Sequence, residues 1–234
     1  MPILKERERE QVQKQFEGLA NPVKLGMFTQ KIECEYCEET RMMVEEVAAL
    51  SDKVTAEIYN FITDKEVAEK YEVDKIPAIV ILGVNPQGPS PGEKDYGIRY
   101  YGVPAGYEFS ALIEDIKTVS SGQSSLSEET KAALAQIDEP VHMQVFTTPT
   151  CPYCPRAVVL THKMALESDQ IQADALEAME FPHLAIKYQV QGVPRTVINE
   201  THFVDGAVPE PLMVEGVLKA LGKENILPLQ GREV

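Results

Sequence analysis

The chain predicts an α/β fold built twice over, and three observations carry that prediction. Short apolar runs of strand type alternate with stretches of helical periodicity. The four cysteines form two C-x-x-C motifs, Cys34–Cys37 and Cys151–Cys154, set 117 residues apart in a chain of 234. Laid over one another without gaps, residues 34–81 and 151–198 are identical at 14 of 48 positions, where unrelated segments would share roughly three. The chain is therefore a duplication with two domains, expected at 1–119 and 126–234. They are joined by a polar Ser/Gly linker at 120–125.

Each half is expected to repeat one order of elements. A charged segment comes first, 4–19, with Val12, Phe16 and Leu19 at helical spacing. Its counterpart runs from Ser127, an N-cap candidate followed by two acids, to Ile137. Apolar strands follow at 23–29 and 141–147. The C-x-x-C motifs then open helices at 34–50 and 151–167. Second strands are expected at 54–61 and 171–176, and short helices at 65–71 and 182–188. Pro77 and Pro194 precede β-branched runs at 79–82 and 196–198. Further strands at 98–101 and 201–204 lead to closing helices at 107–118 and 211–221. The halves differ at 85–92, where a Pro/Gly-rich insertion marks an exposed turn.

Composition narrows the function. An apolar fraction of 44% with 25% charged residues excludes wholesale disorder. A net charge of −15, from 37 acids against 22 bases, repels nucleic-acid backbones and anionic lipid, so neither is expected as a partner. No apolar run is long enough to span a membrane, and the first ten residues lack the apolar core of a secretory signal. A cytoplasmic location is the expectation.

The two motifs carry the chemistry. A first cysteine at a helix N-terminus gains unpaired N–H groups and the positive end of the helix dipole, which stabilise a thiolate. That thiolate attacks a disulfide, and the second cysteine resolves the mixed disulfide. Cys34 and Cys151 are thus read as nucleophiles, Cys37 and Cys154 as resolving partners. C-x-x-C also binds zinc or clusters, but each pair sits in its own repeat, which argues against a shared site. No metal and no cofactor are expected.

Each motif is followed, 43 residues after its first cysteine, by Ile76-Pro77 or Val193-Pro194 and a β-branched strand. This order resembles the thioredoxin superfamily, over about 22–118 and 140–222. The resemblance implies two tandem thioredoxin-like domains, each a mixed sheet flanked by helices. It implies cis peptides at both prolines, and strand-like pairing of substrate with the backbone of Ile76 and Val193. The segment 146–154 with Gly192-Val-Pro-Arg195 is similar to glutaredoxins. Two such domains in one chain resemble the protein disulfide oxidoreductases of hyperthermophiles. The resemblance implies protein disulfides and dithiols as substrates and a thioredoxin-reductase-like flavoprotein as donor. A narrower reading is a dithiol carrier feeding a peroxidase. A non-enzyme reading is a metal-binding C-x-x-C protein.

Other residues are candidates for tuning. Tyr36 and Tyr153 lie inside the motifs, where they shape the approach to sulfur or merely cover local surface. Thioredoxin carries an acid on the strand before the motif, but here that strand is apolar (Leu25, Met27, Phe28). Glu57 and Asp174 align in the repeat on the second strand. They are expected to be buried, with raised pKa values, and to exchange protons with Cys37 and Cys154. His142, His162, His183 and His202 do not recur in the first half and are read as surface or packed residues. Glu33, Glu35, Glu38 and Glu39 crowd the first motif, whereas Arg156 adjoins the second. Cys151 is therefore expected to be the more acidic thiol.

Overall fold

The computed structural model describes residues 3–85 and 92–223. The sequence-predicted insertion at 85–92 falls almost wholly outside them. The first repeat comprises α1 (Glu6–Phe16), β1 (Val23–Thr29), α2 (Cys37–Ala48), β2 (Val54–Asn60), α3 (Lys65–Lys70), β3 (Ala78–Asn85), β4 (Gly92–Tyr101) and α4 (Glu108–Ser121). The second comprises α5 (Glu128–Leu134), β5 (Val141–Thr147), α6 (Cys154–Glu167), β6 (Ile171–Glu177), α7 (Pro182–Lys187), β7 (Arg195–Ile198), β8 (His202–Asp205) and α8 (Glu210–Ala220). Ser127 caps α5 as its position foretold, its hydroxyl accepting the Thr130 N–H.

The strands form one eight-stranded sheet in the order β2-β1-β3-β4-β6-β5-β7-β8. The repeats are fused where β4 pairs in parallel with β6, from Ile98 opposite Ala173 to Tyr101 opposite Leu176. β1, β2, β4, β5 and β6 all run the same way. Both C-x-x-C motifs follow such strands, β1 and β5, and so leave the same edge of the sheet. Four strand positions separate them, roughly 19 Å at about 4.8 Å per strand.

Helices cover both faces. α1, α2, α4, α5, α6 and α8 bury one continuous core that crosses the repeat boundary. α3 and α7 cover the other face, over Phe28, Val80, Tyr101, Phe146 and Val197. The core strands are apolar at nearly every position because both their faces are covered.

The expected linker begins too early. Ser120 and Ser121 complete α4, and Gly122 ends it in the left-handed conformation at φ 66°. Ser120 is buried, and its hydroxyl donates to the Asn21 carbonyl at 2.6 Å. The connection is anchored by tertiary hydrogen bonds, which a sequence of small polar residues does not announce.

Candidate active site

α2 and α6 start at the second cysteine of each motif, Cys37 and Cys154. The helices begin three residues later than expected, so the first cysteines lie just ahead of them rather than inside them. That placement faces each first sulfur with the free N–H groups of a helix end. In the second motif the contact is explicit: the Cys154 N–H points at Cys151 Sγ at 3.1 Å. Cys34–Cys37 and Cys151–Cys154 are both disulfides, with Cα atoms 5.5 Å apart in each. Within each pair the first cysteine is the more exposed: Cys37 and Cys154 are 1% and 0% accessible, Cys151 is 8%, and Cys34 is half-buried. An incoming sulfur therefore reaches Cys34 or Cys151 first.

Ile76-Pro77 and Val193-Pro194 are the cis peptide bonds of the described residues, as the resemblance implied. In the second repeat the loop lies directly over the motif, with the Val193 carbonyl oxygen 3.6 Å from Cys151 Sγ. Tyr36 and Tyr153 are exposed beside the sulfurs, at 38% and 62%.

The motifs differ in charge. Arg41 forks onto Glu38 at 2.8 and 3.2 Å and neutralises it, leaving Glu33, Glu35 and Glu39 around Cys34. Glu33 stands in the left-handed region at φ 59°, immediately before the cysteine. The Tyr36 hydroxyl is pushed up by the negative charge of Glu35 first, then by burial and by Glu180, Glu177 and Glu39. No acid adjoins the second motif in sequence, and Arg156 follows it. Each exposed charge contributes about 1 kcal/mol or less. Cys151 is therefore expected to alkylate at a pH about one unit below Cys34. Iodoacetamide rates against pH, read on Cys37→Ser and Cys154→Ser variants, check this. Equal or reversed order overturns the electrostatic account.

The structure corrects the two strand acids. Glu57 is not buried: its side chain is 52% exposed and ion-paired with Lys24 at 2.6 Å. The Lys24 hydrogen bond, helped by Tyr59, holds its carboxyl below the usual range. Asp174 is buried as expected, but its carboxyl is also held low. Burial pushes it up, and the hydrogen bond and charge of His142 outweigh burial. His142 Nε2 lies 2.6 Å from Asp174 Oδ2 near the start of β5, at the strand end remote from the motif. The repeat alignment matched the acids correctly but could not show that each finds a basic side chain on the neighbouring strand.

Asp174→Asn is thus expected to cost about 1–3 kcal/mol of stability while leaving mixed-disulfide release unchanged. A carboxyl held low stabilises the fold above its unfolded pKa, and that stability disappears as pH falls through the folded value. The difference between variant and parent should therefore vanish in acid. Guanidinium denaturation at several pH values, alongside release kinetics, checks it. Slowed release would restore the catalytic reading.

The acids that do sit between the motifs escaped the sequence reading. Glu108, in the first turn of α4, is 3% exposed, and neither carboxyl oxygen has a hydrogen-bond partner among the described residues. Burial, with the negative charge of Asp115, pushes it up to about 8. Its neighbour Tyr107 donates its N–H to the Pro149 carbonyl at 3.0 Å, two residues before Cys151. Asp115 and His162 are fully buried and joined at 2.6 Å, and Tyr100 donates its hydroxyl to the same carboxylate. On the first motif's side, Glu180 accepts the Val103 N–H at 2.7 Å. Burial above all raises its carboxyl to about 7, with Glu177, Glu39 and Glu35 adding to it.

Glycine is required at two points of this seam. A Cβ on Gly102, at φ 94°, would meet Glu177 Cβ at 2.7 Å and Glu180 Oε1 at 2.8 Å. One on Gly106, at φ 61°, would meet the Pro149 carbonyl at 2.2 Å. Only glycine permits both the left-handed backbone and the close approach.

Two C-x-x-C disulfides at helix N-termini, each in a repeat that also carries a cis-proline, define a thiol–disulfide oxidoreductase. The thioredoxin-domain family matches residues 25–88 and 141–219, one span in each repeat, and the chain belongs to that family. The crystal structure of a protein disulfide oxidoreductase from Aeropyrum pernix aligns with a TM-score of 0.84 at 29% identity, covering 97% of both chains. A thioredoxin of Methanocaldococcus jannaschii is 35% identical over 83 residues, 35% of this chain and 96% of its own. An alkyl hydroperoxide reductase component of Escherichia coli is 24% identical over 168 residues, 72% of this chain and 29% of its own. The chain spans about a third of the length of that relative, as it does of an NADH dehydrogenase from Ferdinandcohnia aciditolerans. No helix of the described residues is long and apolar enough to cross a membrane.

Proposed function

We propose that the chain exchanges disulfides with protein substrates at both motifs, taking reducing equivalents from a flavoprotein. The observation that carries this is the pairing, twice in one chain, of a more exposed first cysteine with a buried second one, in a repeat that also carries a cis-proline. In the reducing direction, the Cys151 or Cys34 thiolate attacks a substrate disulfide. A mixed disulfide forms, and one substrate thiolate leaves and takes a proton. Cys154 or Cys37 then loses its proton and attacks the first cysteine, releasing the second substrate sulfur. Two electrons have passed to substrate, and the motif is a disulfide again. An extended substrate segment pairs with the backbone of Ile76 or Val193, and Tyr36 or Tyr153 lines its path.

Reduction of insulin disulfides by dithiothreitol, with and without the protein, tests this. Acceleration is expected, and a rate no greater than dithiothreitol alone overturns the reading. A second reading is favoured by the match to the alkyl hydroperoxide reductase component: a dithiol carrier between a flavoprotein and a peroxidase. Peroxide turnover reconstituted with those two proteins, in the absence of insulin activity, would select it.

A further inference from the structure

Between the motifs, and belonging to neither, lies a small cavity of about 10 Å³, walled by Tyr100, Tyr101, Gly102, Glu108, Thr147 and Glu177 among others. One water molecule needs roughly that volume, together with two or more polar partners. Two of the walls are carboxyl side chains from different repeats. Glu108 is 3% exposed and Glu177, the last residue of β6, is 6% exposed. Both oxygens of Glu108 and Oε1 of Glu177 are without partners among the described residues. Buried acceptors left without a donor are costly and rare, and ordered water is their usual remedy. The space and the unpartnered oxygens agree on one occupant.

We propose that this cavity holds a single water bridging Glu108 and Glu177, and that the bridge stores a proton shared by the two redox motifs. Each end of the bridge leads toward one motif. Beside Glu108 the chain is bonded to the loop before Cys151 through Tyr107 and Pro149. Thr147, another wall, closes the strand that leads into that loop. Glu177 Oε2 accepts the Glu180 N–H at 2.7 Å, and Glu180 lies near enough to Glu35 and Glu39 of the first motif to feel their charge.

The groups facing the bridge favour a bound proton. Asp115 lies two turns along α4 from Glu108 and is engaged by His162 of α6 and by Tyr100 of β4. Glu180, on the loop after β6, has its own carboxyl raised to about 7, chiefly by burial. Tyr101, also of β4, is buried and uncharged at neutral pH. At neutral pH Glu108 holds its proton and donates to the water, which donates to Glu177. Reducing one motif adds two electrons and one proton to its disulfide, leaving one thiol and one thiolate. The new negative charge raises the proton affinity of the bridge, which takes up a proton from solvent. The other motif then faces a more fully protonated pair, so its own thiolate is easier to form.

This rests on both motifs cycling, so the test does not depend on a protein substrate. The full chain is reduced chemically, and infrared difference spectra are recorded in H₂O and D₂O. A protonated-carboxyl band that moves on reduction and shifts in D₂O is expected. It should be lost in Glu108→Gln, and lost or displaced in Glu177→Gln. The Cys34→Ser/Cys37→Ser and Cys151→Ser/Cys154→Ser variants should each still move it, since either motif alone reaches the bridge. A band that ignores reduction, or that responds to one motif only, overturns the shared proton. So does a band untouched by Glu177→Gln. The measurement on the unmodified protein decides the first point even if a variant fails to fold. Insulin reduction by the same preparation separates the readings: an active protein with a silent band sinks the bridge alone, and an inactive one sinks the exchange function.

Discussion

Serine at all four of Cys34, Cys37, Cys151 and Cys154 is expected to reduce insulin-disulfide turnover to the dithiothreitol background. The chemistry has no other nucleophile to use: the chain's four cysteines are all in the motifs, and the groups around them only tune protons. Serine oxygen does not attack a disulfide at neutral pH, so the loss is total rather than graded. The two double variants, Cys34→Ser/Cys37→Ser and Cys151→Ser/Cys154→Ser, should each keep activity, because each repeat has its own helix N-terminus and cis-proline loop. The variant retaining Cys151–Cys154 is expected to be the faster at pH 7. Its first sulfur receives the Cys154 N–H at 3.1 Å in the disulfide and has no crowd of glutamates around it. Each closed loop is so short that its loss costs only about 2 kcal/mol, and the two together about 4 kcal/mol. Circular dichroism of each variant confirms the fold, and turnover surviving in the quadruple variant overturns the mechanism.

The fold was legible because the repeat is local and its periodicities are strong. The first strand of each half ends where the apolar run ends, at Thr29 and Thr147. The cis-prolines, too, lie where the resemblance to thioredoxins implied them. What stayed hidden was everything made by long-range contact. Nothing in residues 92–101 or 171–177 announces that β4 and β6 pair and fuse two sheets into one. Glu57 and Asp174 recur in the repeat, yet Lys24 and His142, which hold their carboxyls low, sit on the adjoining strands. In sequence Glu108 is an ordinary acid in a first helical turn, where the dipole favours negative charge. A signal was present all the same. Glu108 and Asp115 stand seven residues apart on the stripe that also holds Ala111, Leu112 and Val119, and acids on an apolar stripe are either partnered or protonated. Asp115 has His162 and Tyr100, whereas Glu108 has only burial.

Glu108→Gln is accordingly expected to stabilise the protein in neutral and alkaline solution while changing little in acid. Folding moves this carboxyl from 4.5 to about 8. Below the lower value it is protonated folded or unfolded and contributes nothing to the pH dependence. As pH rises, the unfolded chain loses the proton and the folded chain keeps it. Stability then falls by about 1.4 kcal/mol per pH unit. The decline stops near pH 8, where the folded protein ionises too, leaving a penalty of several kcal/mol. Because the group is almost fully buried, solvent screening does not reduce that penalty appreciably. Glutamine keeps the shape and removes the titration. Its amide brings N–H groups that need acceptors, and the unpartnered oxygens of Asp115 and Glu177 are candidates. Failure to meet them would cost about 1–3 kcal/mol, which subtracts from the gain without altering its pH dependence. Guanidinium midpoints for parent and variant between pH 4 and 9 make the comparison. Curves that diverge as pH rises from 5 to 8, with the variant above, are expected. Parallel curves would mean that Glu108 is solvated or paired in solution and holds no proton of its own.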